Sequence, residues 1–382
     1  MVFSQHTVGD AAGGRASEGS GMVYSTAAPL MPPLRLAYRD AEHRESAEHH
    51  LLARIADVFA SAGFSFSRTM IVNYYVSLKT NPFVILAGPQ GSGKSEFVDL
   101  FAEALLGRDS SQFARITGNL AWIHATGQDH YYRLFHERFT SLQFLDLLQE
   151  ASDPASSGKL FLACFDGLRP EEFTYFFSNL LYIDAHGRKY LNIPGVANGQ
   201  QPILPANLLL TATINTAEYG GMLTRDVLRH AALIEFRARQ YELPGRANST
   251  PPPVGYQRLW QQATIHDPDV ARRRLVDLIG TEQLARLRCS PALSQLLWQG
   301  GIALTNQVLQ GVTIYVANSF DASGNGLFDT HDRDHNAQIA YDSQVVQRVL
   351  WRLRDSSDDT VCTALREYLD HLAPTATQQA VA

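Results

Sequence analysis

Asn81 to Leu105 reads NPFVILAGPQGSGKSEFVDLFAEAL. The apolar run Phe83 to Ala87 has the length and β-branched content of a buried strand, and it stops at Gly88. Gly88-Pro89-Gln90-Gly91-Ser92-Gly93-Lys94-Ser95 is a complete G-x-x-x-x-G-K-S phosphate loop. Phe97, Leu100, Phe101 and Leu105 then recur at helical spacing, so the loop opens a helix. Glycines let backbone N–H groups curl around an anion, and the helix N-terminus adds partial positive charge. Lys94 supplies a mobile cation to the β- and γ-phosphates, and Ser95 a hydroxyl to Mg²⁺. A glycine-rich turn with a chance Lys-Ser is the plain alternative. Composition produces such a match in roughly one or two chains per hundred of this length, and the flanking strand and helix make it rarer still.

The chain has 382 residues, of which 45% are hydrophobic, enough for a sizeable core, and a net charge of −6. No basic stretch argues that it grips nucleic acid by itself. Cys164, Cys289 and Cys362 are widely spaced without a C-x-x-C pair, which fits a reducing cytoplasm and neither a disulfide nor a metal framework. No apolar run approaches the ~20 residues of a membrane span, and the N-terminus carries no basic-then-apolar signal. The expectation is a cytoplasmic protein without a membrane partner.

Residues 1 to 45 are rich in Gly, Ser, Ala and Pro and read as a disordered arm. Two helices follow, one carrying Leu51, Leu52, Ile55, Val58 and Phe59 and ending at Gly63, the other over about Ser67 to Leu78. Beyond the phosphate loop, Phe113 to Thr117 reads as a strand. Next come the aromatics Trp122, Tyr131, Tyr132, Phe135 and Phe139, expected in the core for the most part, and a helix capped by Ser141. Leu160 to Asp166 is a buried strand ending in a carboxylate. Placed downstream of a phosphate loop, Asp166 is the expected Mg²⁺-side carboxylate. A helix over Glu171 to Tyr182, a polar loop over Asp184 to Gln201, and a strand from Leu208 to Asn215 follow. Asn215 is a candidate to orient the attacking water; a strand-end turn is its other reading. Leu233 to Phe236 makes a fifth strand.

Pro244, Gly245 and Pro251 to Pro253 mark a linker. The division is an α/β core over 46 to 240, a linker over 241 to 258, a helical lid over 259 to 372 and a tail over 373 to 382. The lid helices are placed at about 257 to 265, 268 to 287, 291 to 318, 342 to 354 and 359 to 371. The patterning gives an α/β class, a parallel core around the phosphate loop followed by a helical domain.

The order of these parts resembles the AAA+ ATPases, and in detail the McrB-type restriction subunits. The residues that carry the likeness are LKTNPFVILAGPQGSGKSE, FLDLLQEA, FDGLRPEEFTYFFSNLL, LPANLLLTATINTAEYGGMLTRDVLRHAALIEF and VVQRVLWRL. INTAE, Ile214 to Glu218, looks like the Met-Asn-Thr-Ala-Asp signature of the restriction subunit. The resemblance implies a phosphate-loop NTPase with a five-stranded parallel sheet and a C-terminal helical lid, assembled into a homo-oligomeric, hexamer-like ring or a mixed ring with a paralogue, with ATP or GTP and Mg²⁺ at subunit interfaces, driving a nuclease or McrC-like partner. DNA contact would come through that partner. It implies phosphate contacts from Gly88, Pro89, Gln90, Gly91, Ser92, Gly93, Lys94, Ser95 and Glu96, metal contacts from Ser95 and Asp166, a sensor at Asn215, and an interface arginine at Arg229.

Two departures matter. Where the family places Glu after the strand-end Asp, this chain has Gly167, and the Asn expected two residues further is Arg169. Glu171 and Glu172 stand at the wrong offset to replace that Glu. Two expectations therefore stand side by side. One is an NTPase subunit that powers or gates a restriction-type phage-defence complex. The other is a nucleotide-binding switch or scaffold with little hydrolysis. A small-molecule kinase, a third reading, leaves Asn215 and the lid without a role.

Weaker signals remain. Asp321, Ser323, Asn325, Gly326 and Asp332 stand at calcium-loop offsets, although a solvated loop accounts for them better because the twelfth position lacks Glu. His331, His335, His124, His130 and His136 lack zinc-site order. Arg348, Arg352 and Arg354 share one lid helix, either as a solvated basic face or with one of them reaching nucleotide.

Overall fold

The computed structural model describes residues 46–81, 83–117, 138–139, 141–183, 188–193, 201–219, 227, 231–236, 256–287, 298, 305–350 and 363. Those residues belong to one compact unit, Glu45–Ala382. The arm 1 to 45, most of the linker, Arg229 and the aromatics Trp122, Tyr131, Tyr132 and Phe135 lie outside the described residues, as do His124, His130, His136, Arg352 and Arg354.

Five strands form a parallel sheet: β1 (Phe83–Gly88), β2 (Phe113–Thr117), β3 (Phe161–Asp166), β6 (Leu208–Asn215) and β7 (Ala232–Glu235), in the order β2-β3-β6-β1-β7. β1 lies between β6 and β7, so the phosphate loop emerges at the inner part of the sheet. Strand side chains alternate between two buried faces, as a parallel sheet covered on both sides requires. Val84 and Leu86 face one core, and Phe83, Ile85 and Ala87 face the other.

The first core is covered by α1 (Ala47–Ser61), α2 (Arg68–Thr80) and α3 (Lys94–Leu106). Ser46 and Ser67 cap α1 and α2 by accepting from His49 N and Met70 N. Phe59, Phe66, Phe97 and Phe236 meet in edge and stacked pairs beneath α3. The second core is closed by α4 (Leu142–Ser152), capped by Ser141, and by α5 (Pro170–Tyr175) with a wider helical turn over Phe176–Leu180. Phe139 packs there against Phe165 and Phe176, the core role expected of it.

The helical C-terminal third comprises α7 (Tyr256–Ala263), α8 (Pro268–Arg286), α9 (Asn306–Asn318) and α10 (Arg333–Val345), after a single turn α6 (Thr216–Tyr219). Trp260, Leu275, Tyr315, Phe320 and Ala340 share the first core with α1 and α2. Tyr315 Oη donates to Asn73 Oδ1 at 2.6 Å, and Trp260 meets Tyr75 edge-on. Below them Lys79 and Tyr75 both donate to Glu48 Oε1 at 2.7 Å, a fully buried cation paired as burial demands.

Three local expectations are corrected. The polar loop at Asp184 to Gln201 contains a strand, β5 (Lys189–Leu191), which runs antiparallel to β4 (Leu181–Ile183) just before the loop, so the preceding helix ends at Leu180 rather than Tyr182. The lid helix expected from 342 begins at Arg333, because Asp332 accepts from Asp334 N and His335 N and starts it a full two turns earlier. Arg348 is neither a solvated cation nor a nucleotide contact. It is buried, with Nη2 donating to Asn81 Oδ1 at 2.8 Å, at the end of β1 opposite the phosphate loop.

Candidate nucleotide-binding site

The C-terminal ends of four strands assemble the site, where ligands of open parallel sheets are bound. Register pairs Gly88 of β1 with Asn215 of β6, and Thr117 of β2 with Asp166 of β3. Gly88 has no room for a side chain, since a Cβ there would lie 2.3 Å from Phe236 O. Gly91 and Gly93 take φ of 75° and 82°, left-handed values that turn the loop into α3. Gly93 is the N-cap of α3 and offers no side-chain cap, so the helix start presents backbone and partial positive charge.

Lys94 folds back over this loop. Its Nζ donates to Gly88 O at 3.0 Å, Pro89 O at 2.6 Å and Ser92 Oγ at 3.1 Å. Burial holds its ammonium below the usual lysine value, and Asp166 and Glu96 oppose that shift. Gln90 and Glu96 are exposed beside the loop, and Ser92 is buried within it.

Asp166 is the centre of a polar network. Its Oδ1 accepts from Ser95 Oγ and Thr213 Oγ1, each at 2.6 Å, and its Oδ2 accepts from Arg115 Nη2 at 2.5 Å and Nε at 3.0 Å. Arg115 Nη1 also reaches Asp99 Oδ2 on α3 at 2.7 Å. Burial raises the Asp166 carboxyl, but the hydrogen bonds from Ser95, Thr213 and Arg115 outweigh it and hold the group below its ordinary value. Asp166 is therefore anionic and pre-aligned on Ser95.

Ser95 and Asp166 form a pair of hard oxygen donors beside the helix start, and Lys94 stands over the loop. This set fits a triphosphate with Mg²⁺, an oxygen-seeking cation. Lys94, Ser95 and the loop backbone would hold the phosphates, and Ser95 with Asp166 the metal.

Searches against family models and curated proteins gave no match. Among solved structures, a full-length MCM homolog from Methanopyrus kandleri is similar at 12% identity with a TM-score of 0.37, covering 83% of this chain and 63% of that one. The chain thus spans less than two thirds of that protein, and the reading of the site rests on its own geometry.

Asn215 sits at the edge of the site with Oδ1 turned to Ala217 N at 3.1 Å, capping the turn α6. Its carboxamide N–H₂ is the part that chemistry leaves to a ligand. Gly167, at the position expected to carry a water-orienting carboxylate, has φ of 65°, and its N–H donates to Thr213 Oγ1 at 2.8 Å. Glu172 does not replace it: its Oε2 accepts from Arg169 N at 2.8 Å in a capping box, and its Oε1 lies 3.4 Å from Arg138 Nε. Arg115, Asp99 and Thr213 were missed by sequence reasoning. Their available signals were an arginine inside a strand, a carboxylate one helical turn after Ser95, and a threonine in an apolar run.

The calcium-offset loop has a different use. Asp321 Oδ1 accepts from Ser323 N and Asn325 N at 2.8 Å, and Oδ2 lies 3.3 Å from His49 Nδ1. Asp329 and Asp332 likewise accept from backbone N–H groups. Among the described residues no group of three or more acidic, histidine or cysteine side chains is arranged to hold a metal ion. The loop is not solvated at its start either, because Asp321 is fully buried.

Proposed function

We propose that this chain is an AAA+-type nucleoside-triphosphate-binding subunit that forms a ring with itself or a paralogue and powers or gates a nuclease of a restriction-type defence complex. The observation that carries the reading is the Ser95–Asp166 contact at 2.6 Å beneath a phosphate loop with Lys94 folded over it. Mg²⁺ would supply charge neutralisation between the phosphate oxygens. Lys94 binds phosphate, Ser95 and Asp166 orient the metal, Asn215 contacts the terminal phosphate, and Arg229 serves the neighbouring subunit.

One observation favours slow turnover. The residue after Asp166 is a left-handed glycine, and the nearby Glu172 is spent on a helix cap. Phosphoryl transfer depends on positioning, so a site without a water-orienting carboxylate acts first as a switch, assembling with nucleotide and releasing it slowly. The test is phosphate release and nucleotide-dependent assembly, each against Lys94→Ala, with ATP and GTP. Both readings require assembly that Lys94→Ala loses. Release above the Lys94→Ala background selects the motor, and release equal to it selects the switch. Wild-type protein that neither assembles nor releases phosphate contradicts both.

A further inference from the structure

Asp166 is fully used before any metal reaches it. One oxygen accepts from two hydroxyls and the other from two N–H groups of Arg115, whose guanidinium extends to a second carboxylate, Asp99. Arg115 comes from β2, opposite Cys164 in register, so its long stem must run along the strand end to reach the site. The Arg115 side chain is 37% exposed and the Asp166 side chain 15% exposed, so the cation is the partner more open to water. Asp99 Oδ1 is a buried atom without a hydrogen-bond partner among the described residues. An orphaned acceptor beside a guanidinium with five donors is an alternative seat for that guanidinium.

We propose that Arg115 gates the metal: its guanidinium competes with the divalent cation for Asp166 and moves onto Asp99 when the cation engages. This rests on the reading of Gly88–Ser95 as a Mg²⁺-nucleotide site. Two cations cannot share Asp166 Oδ2 at contact distance without strong repulsion. A metal that takes Asp166 Oδ2 as well as the Oδ1 beside Ser95 therefore displaces the arginine, and Asp99 compensates the displaced charge. The arrangement couples metal capture to a movement of β2 relative to α3, two elements joined here by Arg115 through its ion pair to Asp99. Arg115 is a positioning residue in this account and touches neither phosphate nor water.

The test uses the full chain with a fluorescent N-methylanthraniloyl derivative of ATP or GTP. Mg²⁺ is titrated from a chelated start, and the readouts are the midpoint in Mg²⁺ and the nucleotide affinity without metal. Arg115→Gln lowers the midpoint by about three- to fivefold, the range of a half-exposed ion pair, and leaves metal-free affinity unchanged. Asp99→Asn raises the midpoint, because Arg115 has lost its second seat. In the Arg115→Gln background Asp99→Asn does nothing further, a non-additivity that a purely electrostatic role of Asp99 would not produce. If Arg115→Gln unfolds in a thermal melt, Arg115→Lys carries the test: it keeps the charge, loses the two-carboxylate fork and lowers the midpoint in part. Equal midpoints in all proteins that bind nucleotide overturn the gate alone. A wild type that binds no nucleotide at any Mg²⁺ concentration overturns the gate together with the site.

Discussion

Two loops of this chain that both use Gly and Ser treat their backbone N–H groups in opposite ways. Gly88–Ser95 has no acidic side chain, whereas 321–332 carries Asp321, Asp329 and Asp332. In the second, Asp321, Asp329 and Asp332 accept from backbone N–H groups, and Asn336 of α10 accepts from Phe328 N, so the loop is held by its own carboxylates and by the helix that follows it. In the first, glycine supplies the turn, α3 starts without a side-chain cap, and Lys94 rests on carbonyl oxygens of its own loop. A loop that satisfies its N–H groups with its own carboxylates is structural. One that leaves them to a helix start beneath a cation has the donors an anion would need.

The largest break of this contrast comes from the self-bound loop. Asn336 is buried, its Oδ1 accepting from Phe328 N at 2.9 Å and its Nδ2 donating to Ser319 Oγ at 3.0 Å. Asn336→Ala orphans these groups and should cost about 3 kcal/mol by denaturant unfolding, while nucleotide affinity is unchanged. Next is Gly88→Ala, whose Cβ meets Phe236 O. About 2 kcal/mol of overpacking should appear together with weakened nucleotide binding, because the loop must move; a stable variant with unaltered binding would show that Phe236 yields.

A smaller effect follows pH. His49 joins α1 to the 321–332 loop through Asp321 and Gly326 O. The hydrogen bond to Asp321 raises its imidazole above the usual 6.5, against burial and the nearby Arg68. Its contribution is therefore full below pH 6.5 and is lost as pH rises through the raised value. Burial raises Asp321, but hydrogen bonds from His49, Ser46 and Asn325 outweigh it and lower the carboxyl below 3.8. That share is present above pH 3.8 and is lost as pH falls through the lowered value. His49→Gln should remove roughly 1 kcal/mol near pH 6 and flatten the decline in melting temperature toward pH 8. The smallest effect is Gly167→Ala, which places a side chain at φ 65° with open space around it. About 1 kcal/mol of backbone strain is expected, with Mg²⁺-nucleotide affinity within twofold of wild type.

What the sequence made legible follows from local physics. The β1–loop–α3 unit was readable because its glycines, its apolar strand and its helical spacing agree over neighbouring residues. Asp166 and Asn215 were readable as polar ends of apolar runs. Arg115 was not, because its importance depends on which strand lies beside β3, a long-range pairing no local pattern encodes. The β4–β5 pair was hidden by the polar turn between its short strands. The start of α10 was hidden by the polar residues Arg333, Asp334 and His335, whose helical state depends on the Asp332 cap. Packing of the C-terminal helices on α1 and α2 was likewise a matter of contact between distant segments.

The most direct test of the account is equilibrium binding of Mg²⁺-ATP and Mg²⁺-GTP to the wild type and to Lys94→Ala, read by calorimetry on protein whose fold is verified by its melting curve. The account predicts saturable binding of at least one nucleotide by the wild type and a loss of about a hundredfold or more in Lys94→Ala, since a charge-assisted phosphate contact is removed from a buried cation. Equal affinity in the two proteins, or no binding by the wild type, would contradict it.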